Sequence, residues 1–491
     1  MSEKELPISP ECPFCNEGFF EHCVYTTAAV RGPQALYQDK APLKTDWAKK
    51  DFGINYSSFN VNGRNFGASS TKATYEDANI YNVNLEKEYG KYNKIKLATP
   101  IILPAIMSLN WRDYFSGAAM AGVSCLIGEG SVKHDPDAEF KEGKIVKFDL
   151  LSEMLDCFNK YYRGYGQIIL QCNVEDDLKG LPDLAVSKYG AQAIEFKFNQ
   201  AAKAIPSAVL CSGGYEEALK LHNEGIIVRP NPSTDEMRDK FKEGCCPNFY
   251  KYEKLPLWDK KYMVSRIKSL KEMGMKNTYF KISSSDEKDI ETILRIASAA
   301  EVDMITFDGS NGSGLDTNIT TNQWGLPTVC LEKLVVNVIS KLENEGLYIP
   351  AVSISGGIAK EEDIFKALAI GDGKVTAVGT AHNCLLVATS SKRMGQLIEE
   401  GIIPKAYQQY GTTKEEIFSG LPDLKYIYGK DAVNFPAGAI GLFSYINKLS
   451  FGIKHFSALN RKFDINSVNK EDIIPLNNEA RCLLNGTWFD F

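Results

Sequence analysis

Two pairs of small residues end consecutive apolar runs in the last third of the chain. Gly356-Gly357 follows one run, and Gly379-Thr380 follows the next. Glycine lets backbone N–H groups approach an anion closely, and a helix N-terminus that follows adds a favourable dipole. A single Gly-Gly would only mark a tight turn. Two such endings in succession predict a phosphate-binding site.

Three charged residues lie where other apolar runs end, and they are candidates for binding a substrate or a cofactor. Lys197 and Lys281 each end such a run, and Glu129 lies in a Gly-Glu-Gly turn. A lysine at this position can hold a carboxylate or an oxo group, and a carboxylate can receive an amine. The alternatives are a solvent-facing Lys281, an ion pair between Lys197 and Glu195, and a solvated turn at Glu129.

The cysteines include one motif with metal-ligand spacing. Two residues separate Cys12 from Cys15, and Cys23 follows. This spacing suits zinc or an iron–sulfur cluster, with Cys245 and Cys246 as further ligands if the fold brings them close. Because the sequence has no second pair with this spacing, free thiols in a surface extension are the alternative.

Eight short apolar runs alternate with amphipathic stretches from about residue 98 onward. This alternation predicts parallel strands joined by crossover helices. Eight such strands close a barrel, so we predict an α/β fold of the (β/α)8 TIM-barrel type. The alternative, an open doubly wound sheet, has a nucleotide fingerprint after its first strand that this sequence lacks. The predicted strands are Ile101–Ala105, Val123–Ile127, Gln167–Cys172, Gln192–Phe198, Thr278–Ile282, Val302–Phe307, Pro350–Ile354 and Lys374–Val378.

The remaining segments flank or interrupt this barrel. Residues 1–97 are rich in Asn, Tyr, Lys, Gly and Ser, which predicts an N-terminal extension that includes the cysteine motif. Residues 98–440 form the predicted barrel, and residues 441–491 a C-terminal extension. The stretch from Ser207 to Leu257 is the widest gap between predicted strands. It predicts a long loop or a lid over the C-terminal face of the barrel.

Composition and charge narrow the possible functions. The 491 residues are 44% hydrophobic and 24% charged, as in a soluble globular protein. The net charge of −6, without a basic cluster, argues against nucleic-acid binding. The sequence lacks a run of 18 apolar residues that would span a membrane, and its polar N-terminus is unlike a signal peptide. We therefore expect a cytoplasmic protein with a small-molecule substrate and neither a membrane nor a nucleic-acid partner.

The sequence from Thr99 to Gln396 resembles the FMN-binding synthase domain of the glutamate synthases. The likeness is distributed over short segments that occur in the same order as in that family. These segments are Ile102-Leu-Pro-Ala-Ile-Met107-Ser108, Leu126-Ile-Gly128-Glu129-Gly130, the stretch from Glu195 to Lys203, Phe280-Lys281, Asp308-Gly309-Ser310, Gly325-Leu326-Pro327, Gly356-Gly357 and Gly379-Thr380-Ala381.

The resemblance implies a flavin cofactor and roles for individual residues. Lys281 would place a cation beside the flavin, and Lys197, Glu129 and Gln200 would act on the substrate. The implied reaction is reductive amination of a 2-oxo acid by reduced FMN, or amine oxidation in the reverse direction. The other FMN-binding residues would be Met107, Ser108, Gly309, Ser310, Gly356, Gly357, Gly379 and Thr380.

The sequence also departs from that family. In the segment directly after the eighth strand, where the family has three cysteines that bind a three-iron cluster, this sequence has one, Cys384, so we expect no such cluster. Residue 2 is serine, not the nucleophilic cysteine of a glutaminase domain. Ammonia or electrons would then come from a partner subunit or an electron-donor protein, and we also expect a homo-oligomer.

Other FMN and barrel proteins remain as alternatives. One is a degenerate family member or flavin-carrying subunit that has no activity alone. Another is a 2-hydroxy-acid oxidase, although the His-Gly that such enzymes have near the seventh strand is missing. The last is an enzyme like IMP dehydrogenase, although Cys330 lies in a predicted helix and not in the loop after the sixth strand.

Overall fold

Eight parallel strands form a closed barrel in the computed structural model. The structure describes residue 30 and residues 53–67, 74–106, 110–201, 208–312 and 324–489. Each strand pairs with its neighbours in the chain, and the eighth strand pairs with the first. The predicted fold class is confirmed, and every predicted strand agrees with an observed one to within two residues. The strands are Ile101–Ile106 (β1), Ser124–Ile127 (β2), Ile168–Cys172 (β3), Ala193–Lys197 (β4), Asn277–Ile282 (β5), Met304–Asp308 (β6), Ala351–Ser355 (β7) and Val375–Gly379 (β8).

Helices surround the barrel because each crossover has an apolar face. In the helix after β5, for example, Ile290, Ile293, Leu294 and Ala297 are buried at helical spacing. Asp286 caps the N-terminus of this helix by accepting hydrogen bonds from two backbone N–H groups. The helices that follow the eight strands are Trp111–Ala121 (α1), Leu150–Asn159 (α2), Leu181–Ser187 (α3), Lys260–Glu272 (α4), Glu287–Ala300 (α5), Thr328–Asn344 (α6), Glu361–Ile370 (α7) and His382–Glu399 (α8).

A β-hairpin closes the N-terminal end of the barrel. Its strands, Lys87–Tyr89 and Ile95–Leu97, pair antiparallel just before β1. The hydroxyl of Tyr89 lies 3.1 Å from the Ser124 hydroxyl and 3.0 Å from the Tyr279 hydroxyl in the interior. Since this end is filled by packed side chains, a ligand has room at the opposite face, where the strands end.

The segment between β4 and α4 is a small folded unit, which we call the inserted subdomain (residues 208–257). Three antiparallel strands, Val209–Cys211, Ile227–Arg229 and Phe249–Tyr252, pair with the last one in the centre. Helices Gly214–Asn223 and Asp235–Lys242 pack with these strands around a core of Ala218, Ile226, Val228, Phe241 and Phe249. The sequence predicts a long loop or a lid at this position, and the structure has a folded unit there. Strands of three or four residues leave too short a pattern to recognise.

The regions that flank the barrel pack against it and against each other. Helix α9 (Ala437–Leu459) contacts α1 so closely that a methyl group on Gly117 would lie 2.8 Å from Leu442. The predicted domain boundary at residue 440 falls inside α9.

Strand Phe59–Val61 pairs antiparallel with strand Ile473–Pro475. Further elements are the hairpin Glu139–Lys141 and Lys144–Lys147 and helices Val174–Leu178, Lys414–Ile417, Leu421–Tyr428 and Asn478–Asn485. In the part of the chain that the structure describes, none of the helices is both long and apolar enough to cross a membrane.

Candidate active site at the C-terminal face of the barrel

Two lysines lie side by side at the C-terminal ends of neighbouring strands. Lys197 in β4 is in register with Lys281 in β5. Both are buried, with 7% and 9% of their surface exposed. A solvent-facing position for Lys281 is therefore excluded. Burial of two adjacent ammonium groups costs free energy unless carboxylates compensate for it.

Glu129 forms an ion pair with Lys197. The carboxylate follows β2, and the contact joins two strand ends across the mouth of the barrel. The Glu129 side chain is 26% exposed, whereas that of Lys197 is 7% exposed. The structure thus brings together two of the three predicted catalytic residues, and Glu129 is more than a solvated turn residue. The third, Gln200, is half-buried three residues beyond the end of β4.

Asp308 compensates for the charge of Lys281. Its Oδ2 atom lies 4.0 Å from Lys281 Nζ and accepts a 3.0 Å hydrogen bond from the backbone N–H of Ala201. Its Oδ1 atom accepts a 2.5 Å hydrogen bond from the hydroxyl of Ser355. One carboxylate therefore connects the ends of four consecutive strands, β4 to β7. Asp308 has no predicted role from the sequence, although a carboxylate that ends an apolar run directly before a glycine is a usable signal.

The glycines after β6 and β7 let two loops approach each other. Gly356 and Gly357 have φ angles of +122° and +72°, which disfavour other residues. A Cβ atom on Gly356 would lie 2.5 Å from the carbonyl oxygen of Gly309, and one on Gly357 would lie 2.6 Å from that of Asn311. The hydroxyl of Thr328 donates a 2.8 Å hydrogen bond to the carbonyl oxygen of Gly356. These glycines therefore fix the shape of the predicted phosphate site through backbone packing.

The two helices at the predicted phosphate site differ in their first turns. Helix α7 begins with three acidic residues, Glu361, Glu362 and Asp363, which disfavour an anion. Helix α8 begins directly after Gly379-Thr380-Ala381, has no acidic residue in its first turn and no side-chain cap. Its first N–H groups lack intrahelical acceptors. The N-terminus of α8 is therefore the more favourable position for a phosphate.

Among the described residues, three buried hydroxyl groups at the ends of β5, β6 and β8 have no hydrogen bond to a nitrogen or oxygen atom, and one of them, that of Thr380, contacts the thiol of Cys384. They belong to Ser283, Ser310 and Thr380. Buried polar groups normally have partners, because an unpaired one costs about 1–3 kcal/mol. A polar ligand at this face would supply the missing partners. The backbone of Gly379 also lies close to Ser355 in β7, since a Cβ atom added to Gly379 would lie 2.8 Å from Ser355 Cβ.

Glu195 is a further buried carboxyl that the sequence analysis considered only as a partner of Lys197. It is 2% exposed, and its Oε1 atom accepts a 2.6 Å hydrogen bond from the amide of Gln171. Burial raises the pKa of Glu195 to about 7, although the nearby Lys281 ammonium acts in the opposite direction. Glu195 and Lys281 line the same small cavity as Thr306, Ser353 and Gly379.

Several predicted ligands lie outside the described residues. These are Met107, Ser108 and the cysteines Cys12, Cys15 and Cys23. Cys245 and Cys246 lie at the surface of the inserted subdomain. Among the residues that the structure describes, no group of three His, Cys, Asp or Glu side chains is arranged to hold a metal ion.

A closed (β/α)8 barrel with lysines, carboxylates and glycine turns at its C-terminal face defines the class of this protein. Residues 254–394, from just before α4 into α8, match the family described as "conserved region in glutamate synthase". The matched segment contains Lys281, Asp308 and both glycine turns. The resemblance inferred from the sequence is thus confirmed over this segment of the barrel.

Solved structures also align with the chain at low sequence identity, whereas none of the curated proteins matches it. One is the recombinant flavin-binding domain of baker's yeast flavocytochrome b2, at 12% identity and a TM-score of 0.46, covering 86% of this chain and 78% of that one. Another is mandelate oxidase with (S)-2-phenylpropionate, at 13% identity and a TM-score of 0.44, covering 84% of this chain and 86% of that one.

Proposed function

We propose that this protein is an FMN-dependent oxidoreductase that acts on carbon–nitrogen bonds, by reductive amination of a 2-oxo acid or by the reverse oxidation of an amine. The observation that supports this proposal is the ion pair between the buried Lys197 and the partly exposed Glu129, next to Lys281. An amino acid has an anionic carboxylate and a cationic ammonium group, and this pair offers one complementary charge to each. Oxidation of a hydroxy acid would also need a base, but its neutral hydroxyl group would leave the negative charge of Glu129 without a complementary cation on the substrate.

The residues at the strand ends fit the FMN phosphate. The N-terminus of α8 and the hydroxyl of Thr380 offer donors to it, and Ser310 offers a further hydroxyl after β6. Gly309, Gly357 and Gly379 keep side chains away from the same region. When bound, FMN would accept a hydride from a substrate carbon or donate one to it.

Lys281 would stabilise negative charge on the flavin ring system. Its ammonium group is buried, so its field is screened less than that of a surface lysine. Asp308 lies 4.0 Å from the ammonium group and is itself fixed by Ser355 and Ala201. The lysine is therefore held at the strand end and does not need to be ordered when FMN binds.

Lys197 and Glu129 would bind the substrate and move its protons. In the oxidative direction, the substrate carbon loses a hydride while Glu129 accepts a proton from the amine nitrogen, which leaves a carbon–nitrogen double bond. Lys197 holds the carboxylate or the oxo oxygen during this step. Addition of water then releases ammonia and a 2-oxo acid, and the reverse sequence consumes both together with one hydride.

The experiment that tests this proposal follows the absorbance of the purified protein. We expect flavin bands and release of FMN, not FAD, on heating. After photoreduction, a 2-oxo acid with ammonia should reoxidise the flavin, and the 2-oxo acid alone should not. A protein that stays colourless with added FMN would overturn the proposal, and reoxidation by neither mixture would indicate a flavin-carrying subunit.

The environment of Cys330 is relevant to one alternative, an enzyme like IMP dehydrogenase. Cys330, the nearest cysteine to the loop after β6, is fully buried in α6, and burial raises its pKa to about 12. Such a thiol is not a nucleophile at neutral pH, which argues against a mechanism like that of IMP dehydrogenase. An electron-donor protein, an ammonia-supplying subunit and self-association remain part of the proposal, and size measurements with candidate partners would test them.

A further inference from the structure

Glu195 is a buried carboxyl group at the centre of the site that the proposed reaction does not use. It lies in the middle of β4, two residues before Lys197, and is in register with Gln171 in β3 and Tyr279 in β5. It lines the cavity that also contains Lys281. Its position, below the two lysines and inside the barrel, separates it from the substrate-binding pair.

Among the described residues, the two cations nearest to Glu195 each lie beside another carboxylate. Lys197 pairs with Glu129, and Lys281 lies 4.0 Å from Asp308. The hydrogen-bond partner of Glu195 is the neutral amide of Gln171. Tyr279, on the neighbouring strand, is also neutral, because burial raises its pKa well above 10. Among these five described lysine, aspartate and glutamate side chains, the charges cancel when Glu195 is protonated, and ionisation of Glu195 adds one negative charge.

The chemistry of the buried cluster places the ionisation of Glu195 in the physiological range. Burial raises its pKa to about 7, and Asp308 acts in the same direction. Lys281, the Gln171 hydrogen bond and Lys197 oppose this increase. An additional negative charge near Lys281 would reduce the effect of that lysine and favour the protonated form of Glu195.

We propose that Glu195 takes up a proton when the bound flavin is reduced and releases it when the flavin is oxidised. This inference rests on the proposed binding of FMN beside Lys281. Reduction by a two-electron donor adds two electrons and one proton to the flavin, which becomes an anion. A second proton, taken from solvent, binds a carboxylate oxygen of Glu195 and cancels the added charge.

The test is the pH dependence of the flavin midpoint potential, measured by dithionite titration of the FMN-containing protein. Each proton taken up in a two-electron reduction changes the potential by about 30 mV per pH unit. Above pH 7 we expect about 60 mV per pH unit for the native protein and about 30 mV for Glu195→Gln. Infrared difference spectra should also show a protonated carboxyl band on reduction that is absent from Glu195→Gln.

A buried carboxyl elsewhere in the barrel serves as the matched control. Glu332 in α6 is fully buried and accepts a 2.8 Å hydrogen bond from Tyr56, outside the proposed site. Glu332→Gln should keep the native dependence of the midpoint potential on pH.

Gln171→Leu removes a hydrogen bond that favours the ionised form of Glu195. The pH at which the slope of the midpoint potential changes should therefore be higher in this variant. Equal slopes for native protein and Glu195→Gln, both with bound FMN, would overturn the inference. Absence of FMN, visible in the absorbance spectrum, would overturn the proposed function and the inference with it.

Discussion

The ammonium group of Lys197 and the carboxylate of Glu129 form an ion pair that joins the end of β4 to the end of β2. The two residues are 68 positions apart in the sequence, and barrel closure brings them together. A charge pair at the mouth of a barrel can stabilise the fold, bind a zwitterionic substrate, or do both. These roles give different results when one member is removed, which allows the following test.

Lys197→Met should abolish turnover of a 2-oxo acid and leave FMN content and the flavin potential nearly unchanged. Loss of the group that positions the substrate carboxylate should reduce kcat/KM by roughly a hundredfold or more. Glu129→Gln in the Lys197→Met background should recover part of the stability, because it removes the remaining charge, but it should not recover turnover. Steady-state kinetics and urea unfolding measure the two effects. A double variant that recovers both would show that the pair has a structural role alone.

Lys281→Met should lower the flavin midpoint potential while FMN remains bound through its phosphate. Loss of a charge-assisted interaction of about 1–3 kcal/mol corresponds to roughly 20–60 mV for a two-electron couple. Dithionite titration of the native and variant proteins gives the difference. If Lys281→Met and Lys197→Met lose FMN to the same extent, the two lysines do not have the separate roles proposed here.

Gly357→Ala should lower both stability and FMN content. The new Cβ atom would lie 2.6 Å from the carbonyl oxygen of Asn311, at a φ angle of +72°. Gly346→Ala is the matched control, because its φ angle of +76° is similar and no atom lies within 4 Å of its Cβ position. The control isolates the backbone strain of about 1–2 kcal/mol. If the two variants unfold at the same urea concentration and bind equal amounts of FMN, close packing of the glycine turns is unimportant.

Glu195→Gln should stabilise the protein increasingly as the pH rises from about 4.5 to 7. The pKa of Glu195 is about 7 in the folded state and near 4.5 in the unfolded state. Between these values the folded state binds more protons, so its stability relative to the unfolded state falls as the pH rises. Glutamine removes this contribution, and we expect a difference on the order of 1–3 kcal/mol at neutral pH. Urea unfolding at pH 5 and pH 7.5 measures it. A pH-independent difference would mean that Glu195 does not titrate in this range.

Any iron in the purified protein should depend on Cys12 and Cys15. The three-cysteine segment that binds a three-iron cluster in the family is missing after β8, where Cys384 is buried. Metal analysis of a variant with both Cys12 and Cys15 replaced by serine should therefore show no iron. Full iron content in that variant would contradict the assignment, and a metal-free native protein would leave these cysteines as free thiols.

The sequence by itself determined the barrel, its strand bounds and the positions of the strand-end residues. Strands of a parallel barrel are buried on both faces, so each one is a short apolar run that stands out from the amphipathic helices. Lys197, Lys281 and the glycine turns could be located because they interrupt or end such runs. The inserted subdomain could not, since its strands are short and half-exposed.

Only the tertiary structure decided which of these residues contact each other. Register between β4 and β5 places Lys197 beside Lys281, and barrel closure selects Glu129, not Glu195, as the ion-pair partner of Lys197. Asp308 reaches Lys281 and Ser355 because three strand ends converge. The raised pKa of Glu195 likewise results from burial inside the closed barrel. A local pattern reports which residues lie at strand ends, but partner choice and desolvation depend on distances between segments that are far apart in the chain.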